Sequence, residues 1–281
     1  MAKIPVRALS RLIDGLKRYQ PIVEGARARD LNESDTSRII NDILADVFGY
    51  DKWSEITSEF AVRNTYCDLA IKLNGQLRLF VEVKAIGLEL KDTHIKQAVD
   101  YAANEGIDWV ILTNGMSWKV YKLIFGKPID KEEVLSFDFT ALNPRSDEDI
   151  SALFLISKEG LTASALSEYH EQRRAVNRFT LSALIQSEPI LKVIRREVSR
   201  LSPNVKVQLD DIQAVIIKEV LKREVVDADE AKAALKKIQR SLARIEKRRD
   251  GKDDEGTDPD SSQSANSAAG GDTLTSAGPA Q

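Results

Sequence analysis

The feature that most constrains the fold is the stretch of residues 66–84, YCDLAIKLNGQLRLFVEVK. Two runs in which apolar and polar residues alternate, 66–73 and 77–84, flank the dipeptide Asn74-Gly75. This dipeptide between alternating runs is among the strongest short-range signals for a β-hairpin. The sequence therefore predicts two antiparallel strands that pair as neighbours.

The predicted hairpin carries three charged residues. Successive side chains of a strand point to opposite faces, so Glu82 and Lys84 emerge on one face of the second strand. Asp68 lies on the first strand, and pairing of the two strands lets both carboxylates reach one site. A Glu-x-Lys triplet also occurs on strands that simply expose alternating charges to solvent. The hairpin alone does not distinguish this explanation from a functional site.

The elements around the hairpin predict an α/β (α+β) fold with a mixed central β-sheet flanked by helices. The predicted order is helix, three strands, helix and two strands. Asn32 caps the first helix, and Glu33 follows it on the side of the apolar stripe. The predicted elements are helix 32–48, strand 55–62, the hairpin, a helix from Thr93 to Asn104 opened by Asp92, and strands 108–113 and 117–124.

The two ends of the chain read differently from its centre. A short amphipathic helix is predicted within residues 1–30, ending at Pro21. Strand patterns vanish after about residue 140, and the sequence predicts an all-helical region with helices near 148–158, 162–186, 188–201, 209–223 and 228–249. The predicted domains are an α/β domain, 1–140, a helical region, 141–249, and a disordered tail rich in acidic, serine and glycine residues, 250–281.

Composition excludes several classes of protein. The chain has one cysteine and two histidines, and neither histidine lies in a cluster with metal-ligand spacing. A zinc enzyme is therefore not expected. No apolar run has the length of a membrane span and no signal peptide is recognisable, so we expect a cytoplasmic protein without a membrane partner. The net charge of −3 counts mildly against DNA as a partner, but removing the acidic tail leaves the remainder slightly basic.

The last predicted helix, 228–249, separates apolar from basic residues. Its apolar positions recur at spacings of three and four, as in a short heptad seam or in the buried face of an ordinary helix. Its basic residues form either a solvated face or a contact with a nucleic-acid backbone. The helical region is also where an identical copy or a protein partner would assemble.

Carboxylates and an amine in this arrangement suit phosphodiester hydrolysis. Mg²⁺ is typically held by one or two carboxylates and the substrate phosphate, and Asp68 and Glu82 are suitable ligands. Lys84 can stabilise a nascent hydroxide or the charge of the transition state. Glu33, if it points inward, can hold a water or a second metal. Gln97 and Tyr101, four residues apart on a helix, are predicted to lie over the same region, where they can either orient Lys84 or contact the DNA backbone.

Residues 30–125 resemble the PD-(D/E)-x-K nuclease superfamily and, more narrowly, the N-terminal nuclease domain of type I restriction enzyme R subunits. The resemblance rests on Glu33 and on four segments of the sequence, which are CDLAI, VEVKA, QAVDY and WVILTNGMSWKVYKL. It implies that Asp68 and Glu82 bind Mg²⁺, for which Mn²⁺ can substitute. It also implies that Lys84 is catalytic and that Gln97 and Tyr101 support cleavage.

The resemblance implies that the domain 1–140 is nuclease-like and has a restriction-endonuclease-like core. It also implies an endonuclease that cleaves DNA, leaves a 5′-phosphate and a 3′-hydroxyl, and acts in restriction or phage defence. A phosphate-binding loop of the Gly-x-x-x-x-Gly-Lys-Ser/Thr type is absent from the sequence, so we expect no ATP-driven motor and no ATP dependence. Cys67 stands where the named motif has proline. Two alternatives remain open: a module on this fold that binds DNA without cutting it, and an assembly protein whose helical region builds a complex.

Overall fold

A computed structural model describes residues 3–62 and 65–253. The chain divides into two compact units, the first ending at Val176 and the second beginning at Asn177. The first contains one mixed β-sheet flanked by helices, and the described part of the second is helical. The predicted fold class, α+β with a helical C-terminal region, is therefore confirmed.

The sheet has six strands, which lie side by side in the order of the sequence. Neighbouring strands are antiparallel except for the third and fourth, which are parallel and are joined by a crossover helix. The strands are β1 (Ile56–Val62), β2 (Thr65–Leu73), β3 (Gln76–Val83), β4 (Trp109–Thr113), β5 (Ser117–Ile124) and β6 (Asp130–Asp138).

The sixth strand was not predicted from the sequence. β6 pairs only with β5 and begins with the charged run Asp130-Lys131-Glu132-Glu133, which lacks the apolar alternation that identified the other strands. Charged side chains are common on edge strands, where they oppose pairing with another chain. Its pairing with β5, rather than its own sequence, makes this segment a strand.

Two helices, α1 (Val6–Ala28) and α2 (Glu33–Asp46), cover one face of the sheet. The prediction that α1 ends at Pro21 is wrong, because the helix continues for two further turns. Val23 and Ala26, beyond the proline, are fully buried in the same core as Leu16. Their burial offsets the hydrogen bond that proline cannot make.

The opposite face is covered by α3 (Lys96–Glu105), the crossover helix between β3 and β4. This helix begins later than predicted, and Asp92 does not cap it. The preceding residues form a turn in which the backbone N–H of His94 donates to the carbonyl of Lys91 at 3.0 Å. The turn uses the residues that would have formed the first helical turn.

The domain boundary predicted at residue 140 lies inside the first unit. Helices α4 (Asp147–Leu155), α5 (Lys158–Thr162) and α6 (Ala165–Ala175) add buried residues to the core beneath α1 and α2. The hydroxyl of Tyr50 donates to the carbonyl of Ile156 at 2.6 Å. The nuclease-like unit therefore includes about 36 residues that the sequence assigned to the helical region.

The second unit contains five α-helices within the described residues, with a short π-helical turn, Ile216–Val220, after the third. The predicted helix 162–186 is interrupted at Val176-Asn177. Of the predicted tail 250–281, residues 254–281 lie outside the described residues. No described helix is long and apolar enough to cross a membrane. The helices are α7 (Arg178–Ile185), α8 (Glu188–Leu201), α9 (Leu209–Val215), α10 (Arg223–Val226) and α11 (Asp229–Asp253).

Candidate active site

The hairpin forms as predicted and brings its charged residues together. Asn74 and Gly75 have φ angles of 53° and 75°, which are the positive values that a tight two-residue turn requires. The carboxylate Oδ2 of Asp68 accepts a hydrogen bond of 2.7 Å from the backbone N–H of Val83 on β3. Asp68 is thereby fixed beside the end of the strand that carries Glu82.

Lys84 connects the hairpin with α2. Its ammonium donates to Glu82 Oε1 at 2.8 Å and lies 3.6 Å from Glu33 Oε2. Glu82 is only 5% exposed, whereas the Glu33 side chain is 50% exposed at the first turn of α2. Glu33 therefore lies at the rim of the site, and it reaches Lys84 without being buried in the core.

The backbone around Lys84 is anchored to the end of β4. The Lys84 N–H donates to the carbonyl of Thr113 at 2.9 Å, which extends the parallel pairing by one residue. The buried amide of Asn114 donates to the carbonyls of Ile86 and Leu88 and holds the segment after Lys84. Asn114 lies between two predicted strands, and this role of its amide depends on tertiary contacts that the sequence does not show.

Burial and repulsion act together on the two carboxylates. Desolvation raises the pKa of Asp68, and the bond from Val83 and the charge of Lys84 only partly offset it. Desolvation and the negative charge of Asp68 raise the pKa of Glu82. A nearby cation favours the ionised form of a carboxylate. A cation bound between Asp68 and Glu82 would therefore reduce the repulsion between their negative charges.

The same arrangement keeps Lys84 protonated. Burial lowers the pKa of its ammonium, but the hydrogen bond and charge of Glu82, with Glu33 and Asp68, outweigh burial, and the net shift is upward. Lys84 is therefore a positive charge at neutral pH. In this state it can bind and stabilise an anion, but it cannot accept a proton.

Glu59 is a charged neighbour of the site that the sequence did not indicate. Its backbone has a φ of 50°, and it lies opposite Asp68, between the pairs Ser58–Leu69 and Phe60–Cys67. Its carboxylate contributes to the raised pKa of Asp68. Left-handed backbone at a residue other than glycine is strained, and such strain often occurs at functional sites. Only the β1–β2 register could have revealed this residue.

Cys67 is structural. Its side chain is fully buried, and its thiol makes long contacts with the carbonyls of Leu69 and Val81. Burial raises the pKa of this thiol, as do the charges of Glu82 and Asp68, so it stays neutral and is a poor nucleophile. Cys67, which stands where the named motif has proline, is therefore part of the hydrophobic core.

Gln97 and Tyr101 contact each other on α3 as their spacing predicts. The Gln97 amide donates to the hydroxyl of Tyr101, whose ring is buried in the core on the α3 face of the sheet. Gln97 itself is exposed. Within the described part of the chain, neither side chain hydrogen-bonds to Asp68, Glu82 or Lys84, so the predicted direct orientation of Lys84 is not observed.

The carboxylates of the site are oxygen donors of the kind that a divalent metal ion binds. Over residues 3–62 and 65–253, no group of three or more His, Cys, Asp or Glu side chains is arranged to hold a metal. Asp68 and Glu82 are two hard oxygen donors, and Mg²⁺ commonly binds one or two carboxylates while keeping waters and substrate phosphates as its other ligands. The residues present fit such an ion.

Two acidic side chains and a lysine come together on two paired strands of the mixed sheet, β2 and β3. The family model described as type I restriction enzyme R protein N terminus (HSDR_N) matches residues 34–131, about a third of the chain. The resemblance to the N-terminal region of type I restriction enzyme R subunits is thereby confirmed over α2, the strands β1 to β5 and α3. The match points to a restriction-related, nuclease-like role. The comparisons with curated proteins and with solved structures found no match.

Proposed function

We propose that the protein is a Mg²⁺-dependent endonuclease that hydrolyses phosphodiester bonds of DNA in the cytoplasm, in restriction or defence against phage. The observation that carries this proposal is the cluster of Asp68, Glu82 and Lys84 on two paired strands. The cluster lies within the region that matches the restriction-enzyme family. The sequence lacks a phosphate-binding loop, so cleavage is proposed to be independent of ATP.

The charge of the site supports a metal cofactor. Glu33, Asp68 and Glu82 supply three carboxylates against the single ammonium of Lys84. When all are ionised, an incoming phosphate meets net negative charge in a partly desolvated site, which is strongly unfavourable. Asp68 and Glu82 would hold Mg²⁺ or Mn²⁺. When bound, such an ion would lower the pKa of a water molecule and offset the charge of the phosphate.

The proposed role of Lys84 follows from its protonated state. A fixed ammonium in a partly buried site stabilises the negative charge that develops on phosphate oxygens in the transition state. Glu82 and Glu33 keep the ammonium between them and limit the positions that it can adopt. Glu33 is exposed enough to hold a water molecule at the rim of the site as well.

The two residues of α3 are proposed to act on DNA and on the fold respectively. We propose that exposed Gln97 contacts the DNA backbone and that buried Tyr101 holds α3 and the Gln97 amide in position, which is supported by the hydrogen bond between the two side chains. This division differs from a shared role in orienting Lys84, which the geometry does not support.

Cleavage of supercoiled plasmid by the purified full-length chain tests the proposed function. We expect nicked and then linear DNA with Mg²⁺ or Mn²⁺, 5′-phosphate ends, no requirement for ATP, and no cleavage with EDTA. DNA binding is measured on the same preparation in EDTA. Intact plasmid with either metal and any methylation state, combined with retained binding, would contradict the nuclease and favour a module that binds without cutting.

A further inference from the structure

The long helix α11 has two faces of opposite character. Its apolar residues recur at spacings of four and three, which places them along one side. Ala231 is buried and the others are partly buried, and α11 packs against α7 in the same unit. This finding agrees with the buried face of an ordinary helix. The residues are Ala231, Leu235, Ile238 and Leu242.

The other side of α11 is basic and exposed. Five lysines and arginines between positions 232 and 244 lie within an arc of about 140° around the axis, opposite the apolar side. No acidic residue occurs between these positions. The arc extends over about 18 Å of helix. We call this surface the basic face, and its residues are Lys232, Lys236, Lys237, Arg240 and Arg244.

Most charges of the basic face are uncompensated. Lys232 pairs with Asp229 at 2.9 Å, and within the described residues the other four side chains have no ion pair. Helix α8 is the useful contrast, since Lys192, Arg196 and Arg200 each pair with a glutamate of the same helix at 2.8 to 2.9 Å. The basic face carries five cations and α8 carries four. Within the described residues, four of the five on the basic face have no ion pair, whereas on α8 this holds for Arg195 alone.

We propose that the basic face of α11 binds the sugar–phosphate backbone of double-stranded DNA without reading its sequence. The choice of DNA rests on the proposed nuclease function. Three of the steps along this face are four residues long, so a positive charge recurs about every 6 Å of helix. A duplex presents one negative charge per about 1.7 Å of its axis, so every one of these cations can find a phosphate.

Other partners fit this surface less well. Protein interfaces are typically depleted in lysine and have an apolar or aromatic centre. The other exposed residues between positions 232 and 244 are alanine, serine and glutamine. Interfaces with DNA are much more positively charged. An amphipathic helix lying on a membrane would turn its apolar side to lipid, but that side of α11 packs against α7.

Salt-dependent DNA binding by the full-length chain tests this assignment. Binding to a fluorescent duplex of mixed sequence is followed in EDTA between 50 and 200 mM KCl. The test variant combines four exposed substitutions, so thermal unfolding is expected to match the wild type. We expect the slope of log affinity against log salt to fall by about 3 to 4 in magnitude. The substitutions are Lys236→Gln, Lys237→Gln, Arg240→Gln and Arg244→Gln.

A variant of α8 provides the matched control, because it removes the same formal charge from an equally exposed helix. We expect it to change the slope by about one or less, since three of its four cations are already paired. An unchanged slope in the α11 variant, equal losses in both variants, or binding of the wild type to anionic vesicles but not to duplex would overturn the proposal. The control substitutions are Lys192→Gln, Arg195→Gln, Arg196→Gln and Arg200→Gln.

The failure of this proposal and that of the proposed function give different results. If the wild type cleaves plasmid and the α11 variant keeps the full salt slope, the proposed DNA contact of α11 is wrong and the proposed nuclease function still holds. If the wild type does not cleave and the salt slope falls only in the α11 variant, the proposed nuclease function is wrong and α11 is the DNA contact of a binding protein.

Discussion

Replacement of Lys84 by alanine is expected to lower the rate of metal-dependent DNA cleavage by about 10²-fold to 10³-fold. Lys84 supplies the positive charge of the site, and its raised pKa keeps it protonated at neutral pH. The alanine variant leaves buried Glu82 without its partner, so we also expect a loss of about 1–3 kcal/mol in the free energy of unfolding. Initial rates on supercoiled plasmid, with urea unfolding of the same samples, measure both effects.

Two further variants separate chemistry from folding. Lys84→Gln keeps an N–H donor for Glu82 but removes the charge, so it is expected to fold better than Lys84→Ala and to cleave as poorly. Lys122→Ala removes a strand lysine of similar exposure, 22% against 17%, that pairs with Asp108 instead. It is expected to retain cleavage. Wild-type rates in either Lys84 variant, or an equal loss in Lys122→Ala, would contradict the role of Lys84.

The variants Asp68→Asn and Glu82→Gln are expected to lose cleavage and to be more stable than the wild type without metal. Burial raises the pKa of both carboxylates, so the folded state disfavours their ionised forms. Each amide still offers an oxygen to the present donor, the Val83 N–H or the Lys84 ammonium. We expect a gain of about 1 kcal/mol at pH 7, measured by urea unfolding in EDTA.

The pH dependence of this gain follows from the direction of the shifts. A carboxylate whose pKa is higher in the folded than in the unfolded state binds protons more readily when folded, so its contribution to stability falls as pH rises through that range. The greater stability of Asp68→Asn and Glu82→Gln over the wild type is therefore expected at neutral pH. It is expected to vanish at a pH well below the ordinary pKa of a carboxylate. Variants less stable than the wild type at pH 7 would contradict this account of the site.

The hairpin could be predicted because its signals are local. Asn74-Gly75 fixes the turn, and the alternation of apolar residues fixes which side chains of β3 face the core. The convergence of Asp68 on Glu82 follows from pairing across this short turn. Their roles as metal ligands, like the catalytic role of Lys84, stay predictions.

The features that the sequence missed depend on contacts between distant segments. Strand β6 is identified by its pairing with β5, and α1 continues past Pro21 because residues beyond the proline are buried. Glu59 lies beside Asp68 only through the register of β1 against β2. The boundary at residue 140 followed a change of composition, but the core extends across it. Local patterns carry no information on such contacts.

Binding of Mn²⁺ to the full-length chain, followed by the electron paramagnetic resonance signal of the free ion, tests the central claim most directly. The wild type is expected to take up Mn²⁺ and to release it to excess Mg²⁺. Asp68→Asn and Glu82→Gln are each expected to weaken this binding by about tenfold or more. Asp108→Asn, which alters the carboxylate that pairs with Lys122, is expected to bind as the wild type does. No uptake by the wild type, or undiminished uptake by a variant lacking both site carboxylates, would contradict a metal site on the hairpin.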